Sequence, residues 1–257
     1  MRLVKYVILL GGLVFLVLAF GFIFQLPLAI RLWPWPDGKL SYLFIGSILA
    51  AVSVAAMWIA WIGELGALPA GSLNILVIAL GCTIYFFQLS AERPELGSFA
   101  WMSVVFALLS GTAFLWSRTI SLHASLPTPT FVRICFGIFV ASLLFAGTAL
   151  ILRLPVFPWK LNPDSSVIFG CIFIGDTFYF LHGLFKPQWN NAAGQLLSFL
   201  AYDLVLIGPF LGLFKTVQPA FRSSLIAYVL VLLFSSAVAI YYLFINSQTR
   251  IGLSARK

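Results

Sequence analysis

Charge is what this chain has least of. Of its 257 residues seven are acidic and 15 are Lys or Arg, so charged residues make up 9%, against about 25% in an ordinary soluble domain. A chain of this size with so few charges cannot present a polar exterior, which excludes a soluble globular protein. The basic residues are scattered and form no stripe, which excludes a nucleic-acid surface. Histidine is scarce, with two residues (His123 and His182), and so is cysteine, with three (Cys82, Cys135 and Cys171). All three cysteines fall in apolar runs, so they are read as small packing residues and not as a disulfide framework. No H-E-x-x-H, C-x-x-C, G-x-S-x-G, P-loop or G-x-G-x-x-G pattern occurs. That removes the common metal, redox, acyl-transfer and nucleotide signatures and argues against an enzyme.

Apolar residues dominate instead: 62% of the chain is hydrophobic and the mean hydropathy is +1.07. Hydropathy predicts eight spans, at 6–29, 40–62, 70–89, 97–117, 131–152, 166–185, 193–214 and 222–245. A backbone in hydrocarbon must satisfy its own N–H and C=O groups, so each span is expected to be a helix. Prolines punctuate the intervals between them. The residues left over are too few for an extramembrane domain. The first apolar run is too long for a signal peptide and is expected to be retained. Basic residues divide almost evenly between the two sides. The basic tails, with Arg2, Lys5, Arg250, Arg256 and Lys257, tip the expected orientation toward both termini inside. A bacterial inner membrane is the expected location, and the lipid bilayer the first partner.

The chain also contains a repeat of itself. Leu26-Pro27, Trp33-Pro34-Trp35-Pro36-Asp37 and Phe44-Ile45-Gly46 return as Leu154-Pro155, Pro158-Trp159, Pro163-Asp164 and Phe173-Ile174-Gly175. Most of these matches are 127 to 129 residues apart, and the Pro-Trp pair needs 124. The predicted organisation is therefore two tandem four-helix membrane repeats, 1–125 and 126–257. An even number of spans per half makes the repeat parallel, unlike the inverted repeats of many ion-coupled carriers. Trp33, Trp35, Trp159 and Trp189 are expected to anchor the protein at the headgroup layer. Trp-Pro-Trp-Pro after an apolar helix, followed by a Gly-containing helix and a short Trp-bearing loop, resembles a family of small multi-pass bacterial membrane proteins. The resemblance rests on Trp33 to Gly46 and Phe157 to Trp189, and Phe157-Pro158-Trp159-Lys160 departs from the motif. That family has no assigned activity, so the resemblance implies architecture alone.

Two acidic residues differ from the rest. Asp176 and Asp203 lie near the middle of apolar spans, where a carboxylate is costly and usually functional. At 1.5 Å per residue the sixth and seventh spans would bring them to similar depth. Facing each other across a helical hairpin, they would share a proton and form a proton or cation site, with Tyr179 and Tyr202 as hydrogen-bonding neighbours. The competing reading makes each aspartate a hydrogen-bonding fastener between helices. The repeat weighs here: Ser47 stands at the position of Asp176, and Asn74 or Leu80 at that of Asp203. The first half therefore has no matching carboxylate.

Other chemistry is weaker. His182 is a candidate pigment or haem ligand, set against a hydrogen-bonded histidine near a helix end. Gly175-Asp176 and Tyr202-Asp203 faintly echo intramembrane aspartyl proteases, but the order is reversed and Phe173 replaces the first glycine of that motif. The 26 Phe, 8 Trp and 8 Tyr suit lipid-facing packing, or a groove for a lipid, quinone or pigment. Gly208-x-x-x-Gly212 predicts a close helix contact. The expected function is a non-catalytic membrane protein, a structural or accessory subunit packing against other membrane chains, itself, or lipid or pigment cofactors. The alternative is a small permease or proton-linked carrier using the aspartate pair.

Overall fold

The computed structural model describes residues 2–123 and 126–251. Arg256 and Lys257, counted among the orienting charges, and Ser125, the expected end of the first half, lie outside the described residues. The helices are α1 (Arg2–Ile23), α2 (Pro27–Ile30), α3 (Lys39–Ile62), α4 (Leu68–Ser90), α5 (Gly97–Ser117), α6 (Thr130–Ile151), α7 (Pro163–Phe185), α8 (Trp189–Leu213) and α9 (Arg222–Ile240), the last continued by a π-helical turn, Tyr241–Ile245. Among the described residues there is no strand. One isolated antiparallel bridge joins Pro127 to Gln188. Eight of the helical segments are long and apolar enough to cross a membrane. The protein is an all-α, polytopic membrane protein.

Helix ends depart from hydropathy where backbone geometry takes over. The first span is predicted to reach residue 29, yet α1 stops at Ile23. Gln25 adopts φ +53°, and Leu26 N–H closes back on Gly21 O at 2.8 Å. This left-handed closure satisfies end carbonyls, and Pro27 bars any continuation. The apolar residues Pro27–Ile30 form the separate turn α2. The same closure ends α6: Arg153 takes φ +60° and Leu154 N–H reaches Ala149 O at 2.9 Å. Leucine and proline follow the left-handed residue in both places.

Gly38 caps the start of α3 and Asn162 that of α7. The helix-end matches Gln25 and Arg153 are 128 residues apart, and the helix-start matches Gly38 and Asn162 are 124 apart. The difference equals the four residues of α2, which has no counterpart between Arg153 and Asn162. Side-chain packing follows this split register. A Cβ on Gly46 would press on Ala19 O and Ile23, and one on Gly170 on Gly147 O and Ile151. Gly46 and Gly170 thus stand in like packing environments.

The chain forms two compact units, and they are not the halves 1–125 and 126–257. One unit contains α1, α3, α8 from Ala192 onward, and α9, with the segment Phe157–Leu161. The other contains α4, α5, α6 and α7. Each unit thus takes the first helical hairpin of one half and the second hairpin of the other. In the first unit α1 lies along α3, and Ser53 Oγ donates to Gly12 O at 2.8 Å. Phe157, fully buried, packs edge-on against Phe44 and beside Tyr228. In the second unit α7 packs against both α6 and α4, and α4 against α5. Cys82 and Cys171 are free, buried thiols that adjoin across α4 and α7.

Lipid tails are as apolar as leucine, so helix pairing here relies on close fit. At the α6–α7 contact two glycines supply it: a Cβ on Gly170 would lie 2.8 Å from Gly147 O, and one on Gly147 3.1 Å from Gly170 O. Gly208 and Gly212 do not play this part, since a Cβ at either meets nothing within 4 Å. Gly170→Leu is therefore expected to destabilise the detergent-solubilised protein by about 1–3 kcal/mol, and Gly208→Ala to leave it unchanged. Thermal unfolding followed by circular dichroism measures both.

Candidate functional site

The second unit places Asp176 in mid-helix on α7, half-buried, with Asn74 of α4 beside it. Gly175 makes the approach close: a Cβ there would stand 2.8 Å from the Asn74 carbonyl oxygen. Asn74 Nδ2 donates to Asp176 Oδ1 at 2.8 Å. The side-chain oxygen of Asn74 is buried and has no hydrogen-bond partner. One amide thus ties α4 to α7 at a depth where water offers no alternative partner.

The first unit holds Asp203, which is 0% exposed on α8. Ser235 and Ser236 of α9 donate to its Oδ2 at 2.6 and 3.1 Å. Ser235 Oγ also lies 2.8 Å from Val231 O, one turn back along its own helix. Asp203 Oδ1 is buried without a partner. The adjacent Tyr202 meets Tyr228 hydroxyl to hydroxyl, with its ring stacked on Phe199 and edge-on to Phe44. Asp176 and Asp203, read from the sequence as one facing pair, are thus each hydrogen-bonded within their own unit, to α4 and to α9 respectively.

The other sequence candidates fall as follows. Tyr179 is buried with its ring edge-on to Phe180. His182 is half-buried near the end of α7, with Nδ1 3.5 Å from the side-chain nitrogen of Asn191, which also donates to Lys186 O at 3.2 Å. Among the described residues no group of three His, Cys, Asp or Glu is placed to hold a metal ion. Trp35 and Trp189 are 8% and 3% exposed, so these two rings are taken up inside the protein. Trp33 packs edge-on to Trp35. Trp159 packs at a tilt against Phe157 and donates from Nε1 to Ser41 Oγ at 3.2 Å. The tryptophans that do face outward are Trp61, Trp101 and Trp116.

A fourth polar cluster, in the second unit, has no motif in the sequence. Asp164 lies in the first turn of α7, after the N-cap Asn162. Tyr85 of α4 donates to its Oδ1 at 2.7 Å and Arg93 Nη1 to its Oδ2 at 2.9 Å. Arg153 Nη2 lies 3.7 Å from Oδ1 and donates to the Tyr85 hydroxyl at 3.2 Å. Tyr85 and Arg93 stand 79 and 71 residues before Asp164, so only the packing of α4, α6 and α7 assembles the group. The available signal was an acidic residue beside a proline at a span start, a pattern common to ordinary helix ends.

Replacing Asn74 by Leu would leave the Asp176 oxygen unpaired in a low dielectric. The expected loss is about 1–3 kcal/mol, largely recovered in the double variant Asn74→Leu/Asp176→Leu. A double-mutant cycle of unfolding in mixed detergent micelles measures the coupling. Comparison with protein-family models, with curated proteins and with solved structures finds no match for this chain.

Proposed function

We propose that this chain is a non-catalytic integral membrane protein, a structural or accessory subunit that packs against other membrane chains or lipid. The observation that carries the reading is how the mid-membrane aspartates are engaged. Asp176 is bonded to Asn74 and Asp203 to two serines, each on a neighbouring helix of the same unit. That is what an interhelical fastener requires, and such bonds contribute about 1 kcal/mol or less each. The outer spans support it. α1 and α5 are the least covered spans, and Trp101 on α5 is 64% exposed, leaving apolar flanks for lipid or a partner chain.

The location in this proposal is a bacterial inner membrane with both termini in the cytoplasm, in line with the family resemblance and the basic tails. The matched closures at Gln25 and Arg153 and the matched glycines Gly46 and Gly170 support descent of the two halves from one duplicated four-helix unit. In that register Val52 stands opposite Asp176, so the first half carries no equivalent carboxylate.

A carrier is the second reading, and one observation favours it: Asp203 Oδ1 is buried and without a partner, as an ion-binding oxygen would be. Proteoliposomes holding a pH-sensitive dye separate the two. The subunit reading expects proton flux equal to that of protein-free vesicles, for wild type and Asp203→Asn alike. Flux above that level, abolished by Asp203→Asn with the fold intact, would establish the carrier instead.

A further inference from the structure

The cluster around Asp164 has the composition and position of an anion-binding site at the end of a span. It holds two guanidinium groups and one carboxylate, a net charge of +1. The carboxylate spends that charge unevenly. Asp164 is 14% exposed, whereas the Arg93 and Arg153 side chains are 43% and 53% exposed. Each arginine commits one terminal nitrogen to the cluster, and a guanidinium has five N–H donors in a planar fork suited to phosphate oxygens. Asp164 thus acts from below as the post that aligns two partly exposed forks.

Placement says which anion. Asp164 lies in the first turn of α7, Arg153 two residues beyond the end of α6, and Arg93 just past the end of α4. Asp164 is twelve residues from the mid-membrane Asp176, about 18 Å along a helix, which is the headgroup level of a bilayer. Strongly apolar surface adjoins it. Leu152 and Leu154, on either side of Arg153, are 65% and 53% exposed, and Ile84, next to Tyr85, is 62% exposed. A free phosphate has no use for those side chains, whereas a phospholipid would lay its acyl chains on them.

We propose that Arg93 and Arg153, aligned by Asp164 and Tyr85, bind the phosphate of an anionic phospholipid headgroup, such as a phosphatidylglycerol. Arg153 holds its left-handed backbone conformation, φ +60°, which is uncommon in a residue other than glycine. There its side chain turns toward Asp164 and Tyr85. This site is independent of the subunit reading and stands whether or not a partner chain exists.

The test is native mass spectrometry of the full-length protein in mild detergent, titrated with phosphatidylglycerol and with phosphatidylcholine of the same acyl chains. Wild type is expected to prefer phosphatidylglycerol. Arg93→Gln and Arg153→Gln should each weaken that binding by about fivefold, while Arg31→Gln, on an exposed residue of the other unit, should not. The proposal is overturned if the arginine variants keep wild-type preference, or if millimolar inorganic phosphate displaces the lipid.

Discussion

In hydrocarbon a polar group has no water to fall back on, and every other feature of this protein answers to that constraint. It makes each span a helix, because only a helix satisfies its own backbone. It also explains why the mid-membrane side chains occur with partners: Asp176 with Asn74, Asp203 with Ser235 and Ser236. Outside the spans α1 and α6 close on left-handed residues, so that terminal carbonyls are met by Leu26 and Leu154.

The second requirement is fit. Burying apolar surface gains little when the solvent is itself apolar, so helices hold by contact at short range. Small residues serve this at three places, Gly46 against α1, Gly147 with Gly170 between α6 and α7, and Gly175 against α4. Gly175 links the two requirements, since the approach it permits brings the Asn74 amide within hydrogen-bonding range of Asp176. Fit also governs the tryptophans. A ring such as that of Trp189, 3% exposed, is buried in the protein, whereas Trp61 is 88% exposed.

The spans were legible because hydropathy over some twenty residues reports a solvent, and the solvent is the same for each. Their ends were less so. Pro27–Ile30 is as apolar as the helix before it, and only the left-handed turn at Gln25 separates the two. The singular character of Asp176 and Asp203 was legible from depth alone. Their partners were not, because Asn74 is 102 residues from Asp176 and Ser235 is 32 residues from Asp203, and nothing local marks them. The Asp164 cluster was invisible for the same reason, since its members come from α4, the α4–α5 link, the α6–α7 link and α7.

The sequence by itself determined the class of protein, the number of spans and the rarity of intramembrane charge. All of these follow from composition, hydropathy and local pattern. Only the tertiary structure decided which helices share a unit. It draws each unit from both halves, α1 and α3 with α8 and α9, and α4 and α5 with α6 and α7. Hydropathy says that a helix will be in the membrane, and it is blind to the neighbour against which that helix packs. That choice rests on glycine-sized gaps and single hydrogen bonds between residues far apart in the chain, which exist only once the helices are side by side.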